Sequence, residues 1–323
     1  MNAGCYKIVF SKRLGALVAV GEHTSGQGKA AGTGIRSAAS SSHLSAWGHG
    51  FVGSLKIGVI AAALTFISTG TSTAAGLAPT ALPTGAAVNA GNVAISTQGA
   101  TMTIQQTSDK ASVNWNAFNI GSGASVNVQQ NSVNSVLLNR VVGNDPSQIL
   151  GKLTANGQVV LVNPNGIVFG KDGSVAASAF TASTFGISEK DFANGNYHYA
   201  RNGSTAAVTV ENGATLSATA PGGYVALIGA SVDNQGVVSS KGGSVLMVAG
   251  EKAALPEALT HNVSVPLSGK VRLELAPSAI NASVTNSGTI TTEGGQVLMQ
   301  AAALSDAVAS ITHTGVIDTT GTQ

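Results

Sequence analysis

The side chains that most often carry catalysis or bind metals are sparse and scattered in this sequence. Beyond residue 75 the histidines are His198, His261 and His313, which are too far apart to form a metal-binding motif. A carbohydrate-cleaving enzyme would need clustered acidic and basic residues, and Asp172 and Asp233 belong to no such cluster. The sequence also lacks a G-x-S-x-G nucleophile elbow and a phosphate-binding loop. These features predict a protein that is not an enzyme and holds no metal.

A polar tetrapeptide, Asn163-Pro164-Asn165-Gly166, interrupts the apolar stretch GQVVLVNPNGIVFG at residues 157–170. Asn, Pro and Gly at the first, second and fourth positions are typical of a type I β-turn. The flanking runs are predicted strands, and they are apolar at consecutive positions. Both faces of the first strand are therefore expected to be buried, as in a parallel sheet. The tetrapeptide is expected to turn the chain sharply and keep it in a stack.

The composition favours a β-rich globular chain. Of the 323 residues only 9% are charged and 4% aromatic, and 41 are glycine. Long polar-faced helices would need more Glu, Lys and Arg, while a disordered chain would hold less Val, Ile and Leu. Residues 1–75 carry a net charge of +5 and the remainder a net charge of −3. No basic stripe remains for nucleic acid, so a nucleic-acid partner is not expected.

Residues 1–75 are predicted to be an extended signal peptide that is removed on export. Lys56 precedes IGVIAAALTFI, an apolar run of 11 residues that is too short to span a bilayer but suits a signal-peptide core. Small residues follow, with plausible cleavage after Ala75 or Ala78. The stretch upstream of Lys56 exceeds what a plain signal peptide needs. Cys5 is the one cysteine, so no disulfide framework is expected in the mature chain.

A repeat begins at residue 208. The segments VENGATL, VDNQGVV, VTNSGTI and ITHTGVI recur from residues 210, 232, 284 and 311, and GGYVALI, GGSVLMV and GGQVLMQ recur from 222, 242 and 294. A spacing of about 20 residues is typical of solenoids with one coil per repeat. Coils stacked about 4.8 Å apart would place each strand in a parallel sheet. The sequence therefore predicts an all-β chain, a parallel β-helix; a β-sandwich is the alternative.

Three finer predictions follow from the repeat. Its inward-facing apolar residues should form one interior column, which consists of Val225, Leu227, Val245, Met247, Val297 and Met299. Asn212, Asn234 and Asn286 should share one corner and bond in a ladder. The longer step between the last two Gly-Gly units is predicted to hold an excursion from the helix near residues 253–283.

The N-terminal end of such a stack needs protection, because its first coil would expose an unpaired sheet edge. Residues 85–140 are predicted to form this β cap, with apolar contacts from Trp115, Phe118, Val126 and Val128. One short helix is also expected, in DPSQILGKL, with Asp145 as its cap and Pro146 at its first position.

With these elements placed, the chain resembles the filamentous haemagglutinin N-terminal domain, the secretion domain of two-partner secretion exoproteins. The resemblance runs from about residue 85 to 188 through ASVNWNAFNIGSGASVNVQQ, SVLLNRVVGNDPSQILGKLTANGQVVLVNPNGIVFGKDG and FTASTFGIS. It is greatest to the high-molecular-weight adhesin branch, since a second Asn-Pro-Asn motif found in some members is absent. Full members are usually far longer, so the chain is a short member, a truncated one or a fragment.

The resemblance implies a right-handed parallel β-helix with an N-terminal cap over residues 76–323, and no cofactor. It implies export by the inner-membrane secretion machinery through the leader, then passage through an outer-membrane β-barrel transporter with periplasmic domains. The expected location is the cell surface or the medium, and the expected role of the whole exoprotein is adhesion or haemagglutination. Receptors on host cells or glycans would be bound by regions mostly outside this chain.

The resemblance also gives candidate site residues. Asn163, Pro164, Asn165 and Gly166, with Asn139 and Arg140, are expected either to be recognised by the transporter or only to shape the fold. Arg140 is one of few basic residues in this half and is expected to pair with a carboxylate or carbonyl group. Two alternatives for the chain remain: a secreted β-helical polysaccharide lyase or hydrolase, and the export domain of a haemolysin or contact-dependent toxin.

Overall fold

The computed structural model describes residues 6–11, 16–21 and 76–321, and the chain divides into two units, Met1–Thr69 and Gly70–Gln323. In the first unit β1 (Tyr6–Ser11) and β2 (Ala16–Gly21) pair in an antiparallel hairpin. The proposed cleavage position Ala75 and the apolar core of the leader lie outside the described residues, whereas Ala78 lies within them.

The second unit is almost entirely β-structure. Its strands, in chain order, are β3 (Ala87–Ala90), β4 (Val93–Gln98), β5 (Thr101–Gln106), β6 (Lys110–Trp115), β7 (Ser125–Gln129), β8 (Val136–Val141), β9 (Ser147–Ile149), β10 (Lys152–Ala155), β11 (Gln158–Val162), β12 (Ile167–Phe169), β13 (Ser174–Ala177), β14 (Ala179–Ser183), β15 (Gly186–Ile187), β16 (His198–Ala200), β17 (Ala207–Val210), β18 (Thr215–Ala218), β19 (Tyr224–Gly229), β20 (Ser231–Asn234), β21 (Val237–Ser240), β22 (Ser244–Ala249), β23 (Lys252–Ala254), β24 (Glu274–Ala276), β25 (Ala282–Asn286), β26 (Thr289–Thr291), β27 (Gln296–Ala301), β28 (Ala309–His313) and β29 (Val316–Asp318).

Within residues 76–321, two short helices accompany these strands, α1 (Glu189–Asn194) and α2 (Glu257–Thr260). In the part of the chain that the structure describes, no helix has the length and apolar character needed to cross a membrane.

Three long sheets form the walls of a parallel β-helix. Their strand orders are β29-β26-β21-β18-β13-β10-β7-β5-β4, β27-β22-β19-β14-β11-β8-β6-β3 and β28-β25-β20-β17-β12-β9. Consecutive coils place one strand in each wall, and pairing between coils is parallel, as in β7 with β10 and β11 with β14. The predicted β-helix is confirmed, and the β-sandwich alternative is excluded because its hairpins would give antiparallel pairs throughout.

The interior column forms as the repeat predicts. Val225 pairs with Val245, and Val245 pairs with Val297, while Leu227, Met247 and Met299 align two residues further along. The members from the first two of these coils are fully buried, and Val297 and Met299 pack against them. Burying each such side chain stabilises the fold by about 1.5–3 kcal/mol, so the column is a main source of stability.

Strand β11 is buried on both faces, as its unbroken apolar sequence indicates. Val159 and Leu161 belong to the interior core of the helix. Val160 and Val162 belong to a second core on the outer side of the same sheet. This second core exists because chain excursions cover the wall.

The prediction of a short helix in DPSQILGKL is wrong. Ser147–Ile149 form β9, which pairs in parallel with β12. Ile149 is fully buried in the interior core. Its chain segment is paired through backbone hydrogen bonds with the segments on both sides of it. Stacking between coils therefore overrides the local helix-start signal of Asp145 and Pro146.

The predicted asparagine ladder is partly right. Asn234 Nδ2 donates to Asn286 Oδ1 at 2.7 Å, and Asn286 Nδ2 lies 3.1 Å from His313 Nδ1. Asn212 is exposed and outside the ladder, because Val210 is the residue opposite Asn234. The corner after Val210 is two residues longer than the corner after Asn234, which shifts the sequence alignment.

The N-terminal cap consists of antiparallel strands. β3 pairs with β6 and β4 pairs with β5, so two walls begin with a reversed strand. Segment 78–84 completes the third side: Gly123 N donates to Pro79 O at 2.8 Å, and Gly121 N donates to Ala81 O at 2.9 Å. These contacts cover the end of the first coil, where Trp115 and Phe118 pack edge to face and are buried.

Two excursions leave the helix and meet outside it. The first excursion, between β14 and β17, contains β15, α1 and β16. The second, which is the predicted one, lies between β22 and β25 and contains β23, α2 and β24. Together they form an antiparallel sheet with the order β15-β16-β23-β24. We call it the outer sheet. Its inward side chains, Tyr199 and Ala253 among them, complete the second core.

Candidate functional site

The Asn-Pro-Asn-Gly corner connects β11 to β12. Gly166 N donates to Asn163 O at 3.2 Å, which closes the predicted turn. Asn163 and Gly166 are buried, whereas Pro164 and Asn165 are exposed. Gly166 has φ of 120°, a conformation that L side chains rarely adopt, which accounts for glycine at this position. The corner thus has a buried half and an exposed half.

The Asn163 amide joins this coil to the preceding one. Its Nδ2 donates to Asp145 O and to Ser147 Oγ, both at 3.0 Å, and its Oδ1 accepts from Asn165 N at 3.0 Å. Asn163 is fully buried, and protein groups satisfy both the oxygen and the nitrogen of its side-chain amide. This arrangement fixes the position of the corner relative to the coil below.

The exposed half of the corner has its own anchors. Asn165 Nδ2 donates to Gly143 O at 2.8 Å, and Ser204 Oγ donates to Pro164 O at 2.6 Å. Ser204 follows β16 in the first excursion. The corner is therefore held from the preceding coil and from the excursion, which presents Pro164 and Asn165 in a defined conformation.

Asn139 and Arg140 lie beside this corner. In the register between β8 and β11, Asn139 is opposite Leu161 and Arg140 is opposite Val162, the residue before Asn163. Asn139 is fully buried in the interior, where its Oδ1 accepts from Trp115 Nε1 at 3.1 Å, while its Nδ2 has no hydrogen-bond partner among the described residues. The structure thus places the six residues singled out from the sequence on adjacent coils.

Arg140 points outward and holds the first excursion. Its guanidinium forms an ion pair with Glu189, donates to Ile187 O at 2.8 Å and lies 3.5 Å from Asn114 Oδ1. The carboxylate is in the first turn of α1 and is the partner that Arg140 was expected to have. We call this set of contacts the Arg140 clamp.

The helix α1 is fixed at its other end by Lys110. The Nζ of Lys110 donates to the carbonyl groups of Phe192 and Ala193 at 3.3 and 3.1 Å, near the negative end of the helix. Burial lowers the pKa of Lys110 below its ordinary value. At the start of α1, Ser188 caps the helix by accepting from Asp191 N at 3.0 Å.

The second core contains three buried tyrosines. Burial raises the pKa of Tyr197 to about 12 and also raises the pKa of Tyr199 and of Tyr224 well above the ordinary value, because the charged phenolate loses its hydration. The Tyr224 hydroxyl donates to Gln158 Oε1 at 3.3 Å. These phenols stay protonated at neutral pH and act as structural groups.

The first excursion was missed from the sequence, although its residues carried signals. The distance from β14 to β17 exceeds the repeat, and Ser188 with Asp191 is a typical helix start. Among the described residues, no group of three or more His, Cys, Asp or Glu side chains is placed to hold a metal ion.

A capped parallel β-helix with an outer sheet places the chain among solenoid-type β domains. The family model for the TPS secretion domain matches residues 80–319, and the model for the Extended Signal Peptide of Type V secretion system matches residues 1–49. The chain therefore belongs to the TPS secretion domain family. It is the secretion domain of a two-partner secretion exoprotein that carries an extended signal peptide.

A solved structure has the same fold. The chain resembles the HMW1 secretion domain from Haemophilus influenzae with a TM-score of 0.58 and 29% identity, over 73% of this chain and 64% of that one. With the family match, this places the chain in the HMW1 branch, as the sequence indicated.

Two curated sequences are also similar, both described as heme/hemopexin-binding protein of Haemophilus influenzae. One is 42% identical over 118 residues, 36% of this chain, and the other is 39% identical over 100 residues. The chain spans 13% and 11% of the length of these relatives. Family and leader together indicate a protein that is exported through the periplasm to the cell surface or the medium, with a cognate outer-membrane transporter.

Proposed function

We propose that this domain is recognised by its outer-membrane transporter and then serves as the folding nucleus of the exported protein. The observation that carries the proposal is the ordered stack itself, which starts from a cap and adds coils in one direction. Each coil that stacks outside the cell buries apolar surface worth about 25 cal/mol per Å². Backward movement through the transporter then becomes unfavourable, and no nucleotide is needed at the outer membrane.

Within this proposal the Asn-Pro-Asn-Gly corner has two separable roles. Asn163 is buried and bonded within the protein, which supports a role in folding. Pro164 and Asn165 are exposed and held in place, which supports a role in recognition. Asn139 and Arg140 act through folding: one holds Trp115 in the core and the other holds α1.

The test is a secretion assay with and without the co-expressed transporter. Release of the chain into the medium should require the transporter, while the total amount of chain produced stays similar in both strains. Equal release without it would overturn the proposal. A chain with a scrambled leader that remains in the cytoplasm serves as the control for inner-membrane export.

We propose that the whole exoprotein is an adhesin or haemagglutinin at the cell surface. Support comes from the resemblance to the high-molecular-weight adhesin branch. The heme/hemopexin-binding relatives match over only 118 and 100 residues, 13% and 11% of their own length, which supports a shared domain more directly than a shared ligand. Adherence of cells that express the full gene, against a strain lacking it, is the measurement. Turnover of a glycan panel by the purified chain would instead favour a polysaccharide-cleaving enzyme, and lysis of erythrocytes a haemolysin.

A further inference from the structure

A stretch of the second excursion crosses several coils of the β-helix. Residues 260–271 run from the end of α2 toward β24, and we call them the strap. The strap lies over corners that connect the nine-stranded wall to the eight-stranded wall. In a solenoid each coil contacts only the coils next to it. The strap therefore adds contacts that stacking alone does not supply.

Val263 joins two coils that are not neighbours. Its backbone N–H donates to Asn134 Oδ1 at 2.9 Å, and its carbonyl oxygen accepts from Gly222 N at 3.0 Å. Asn134 lies in the corner before β8 and Gly222 in the corner before β19, and β11 and β14 separate those two strands in the wall. The side chain of Val263 is fully buried in the second core. This residue thus couples an early coil directly to a late one.

Other strap residues bond to further coils. Thr260 O accepts from Gln158 Nε2 at 3.1 Å, at the start of β11. Val271 N donates to Gln296 Oε1 at 2.9 Å, at the start of β27, and Gln296 Nε2 donates to Gly269 O. The strap consequently follows the eight-stranded wall from β8 to β27 and bonds to four of its coils.

The contacts of the strap connect residues that are far apart in the sequence. Val263 follows Asn134 by 129 residues, and the strands from β8 to β22 lie between them. Contacts of large sequence separation tend to form late, because the entropy of closing the loop opposes them. The second core is also incomplete before this step, since Leu259 and Val263 are among its buried members. The order of the chain therefore places closure of the strap after stacking of the coils that it covers.

We propose that closure of the strap completes the folding nucleus; the inference rests on the proposed function. Before closure, the coils up to β22 stack one on another, and the last coil can detach without disturbing the first. After closure, the coils from β8 to β22 open and close as one cooperative unit, because the late coils share the strap with the early ones. Backward movement of the exported chain is therefore opposed by the whole unit once residues 260–271 are outside the cell.

The first experiment weakens the strap at its earliest coil. Asn134→Ala removes the acceptor of the Val263 N–H and the side-chain contacts with Asn262 and Ser264. Asn131→Ala, in the same corner, is the matched control, since Asn131 Nδ2 donates at 2.7 Å to Thr107 O in the corner before β6. The control thus loses a bond between adjacent coils and keeps the strap.

Native-state hydrogen exchange of the full chain, purified after leader removal, gives the readout. In the unmodified chain the protected amides of β8 and β22 should exchange through one common opening. In Asn134→Ala the amides of β22 should exchange about 10-fold faster than those of β8, and in Asn131→Ala the two strands should change together. Exchange of β8 and β22 at a common rate in Asn134→Ala would overturn the inference.

The second experiment orders the steps of folding and does not depend on Asn134. Cys5 is the one cysteine of the chain and lies in the leader match, so an added cysteine is a single thiol after leader removal. Val263→Cys reports on the strap and Val225→Cys on the interior column, and both valines are fully buried. During refolding from urea, pulses of N-ethylmaleimide should find the thiol at 225 protected first and the thiol at 263 protected about 10-fold later.

Protection of the thiol at 263 at the same time as the thiol at 225, or earlier, would overturn the inference. The proposed function would stand in that case, because its own test is the dependence of release on the transporter. Release without the transporter, with the two thiols protected in the expected order, would instead overturn the proposed function and leave the folding order of the strap intact.

Discussion

The side-chain amide of Asn163 donates to Ser147 Oγ at 3.0 Å, which joins two consecutive coils of the β-helix at a buried corner. The same amide nitrogen also donates to the carbonyl group of Asp145. The side chain of Asn163 thus satisfies polar groups of the preceding coil, and the backbone of the same residue forms the turn of its own coil. The corner is a joint between coils as well as a turn.

Replacing Asn163 should separate folding from recognition. In Asn163→Ala, the buried Ser147 hydroxyl and Asp145 carbonyl lose their partner, which should lower the free energy of unfolding by about 1–3 kcal/mol. Pro164→Ala alters an exposed side chain and should change stability by less than about 0.5 kcal/mol. Urea unfolding followed by circular dichroism measures both. If Pro164→Ala retains stability but loses release through the transporter, recognition of the exposed half is supported; full release would contradict it.

The Arg140 clamp should govern the stability of the first excursion. Arg140→Met keeps much of the side-chain volume and removes the bonds to Glu189 and to the Ile187 carbonyl, at a cost of about 1.5–3 kcal/mol. Limited proteolysis should then cut between residues 184 and 206 first. Lys152→Met, at an exposed residue, is the matched control and should leave the cleavage pattern unchanged. Unchanged proteolysis of Arg140→Met would show that α1 is held mainly by Phe192 and the second core.

Much of the helix could be predicted from the sequence, and the reason is the repeat. Val225, Val245 and Val297 recur at one position of the Gly-Gly units, so their alignment in one column follows from spacing alone. Asn212 shows the limit, because a corner two residues longer displaced it from the ladder that Asn234 and Asn286 form. Corner lengths depend on the path between walls, which a local pattern does not encode.

Other elements were harder to predict. Ser147–Ile149 carry a helix-start signal and yet form β9, since pairing with β12 outweighs propensity in three residues. The outer sheet unites β16 and β23, which are separated by about 50 residues, through the Arg201–Glu251 ion pair and backbone bonds. Each excursion supplies two strands of the outer sheet, and the sequence carries no sign that the two excursions pair. The Asn-Pro-Asn-Gly motif was recognisable, but the contact of Pro164 with Ser204 was not.

The buried tyrosines predict a loss of stability in alkaline solution. Burial raises the pKa of Tyr197 from 10.0 to about 12, so between these values the folded state holds a proton that the unfolded state has released. The contribution of Tyr197 to the free energy of unfolding is complete below pH 10 and falls by up to about 3 kcal/mol as pH rises to 12. Urea unfolding at several pH values measures the slope. Tyr197→Phe should show a shallower slope than the unmodified chain, and an equal slope would contradict the assignment.

The contacts of the N-terminal segment favour cleavage after Ala75 over cleavage after Ala78. Ala78 O accepts from Ala81 N at 2.9 Å, and a Cβ on Gly121 would collide with the Ala78 carbonyl, so this residue is part of the packed cap. Cleavage after Ala78 would remove it and these contacts. We expect the secreted chain to begin at Gly76, which N-terminal sequencing or intact mass would establish. A chain that begins at Pro79 would contradict this prediction.

The glycine column predicts the most position-specific effect of a small substitution. Gly223, Gly243 and Gly295 follow one another on consecutive coils, and a Cβ on Gly243 would collide with the carbonyl oxygen of Gly223. That carbonyl accepts from Ser244 N at 3.0 Å, so it cannot withdraw without weakening the contact between coils. Gly243→Ala should therefore lower the free energy of unfolding by about 1–3 kcal/mol, as overpacking does elsewhere.

The matched control is Gly99→Ala in the cap hairpin. Gly99 has a φ of 58° and no atom within 4 Å of an added Cβ, so the substitution there tests backbone strain without a collision. It should cost about 1 kcal/mol. Thermal unfolding of both variants gives the comparison. An equal loss in both would mean that the coils can move apart to admit a methyl group, and that their spacing is set by the interior column of Val245 and Met247 rather than by the glycines.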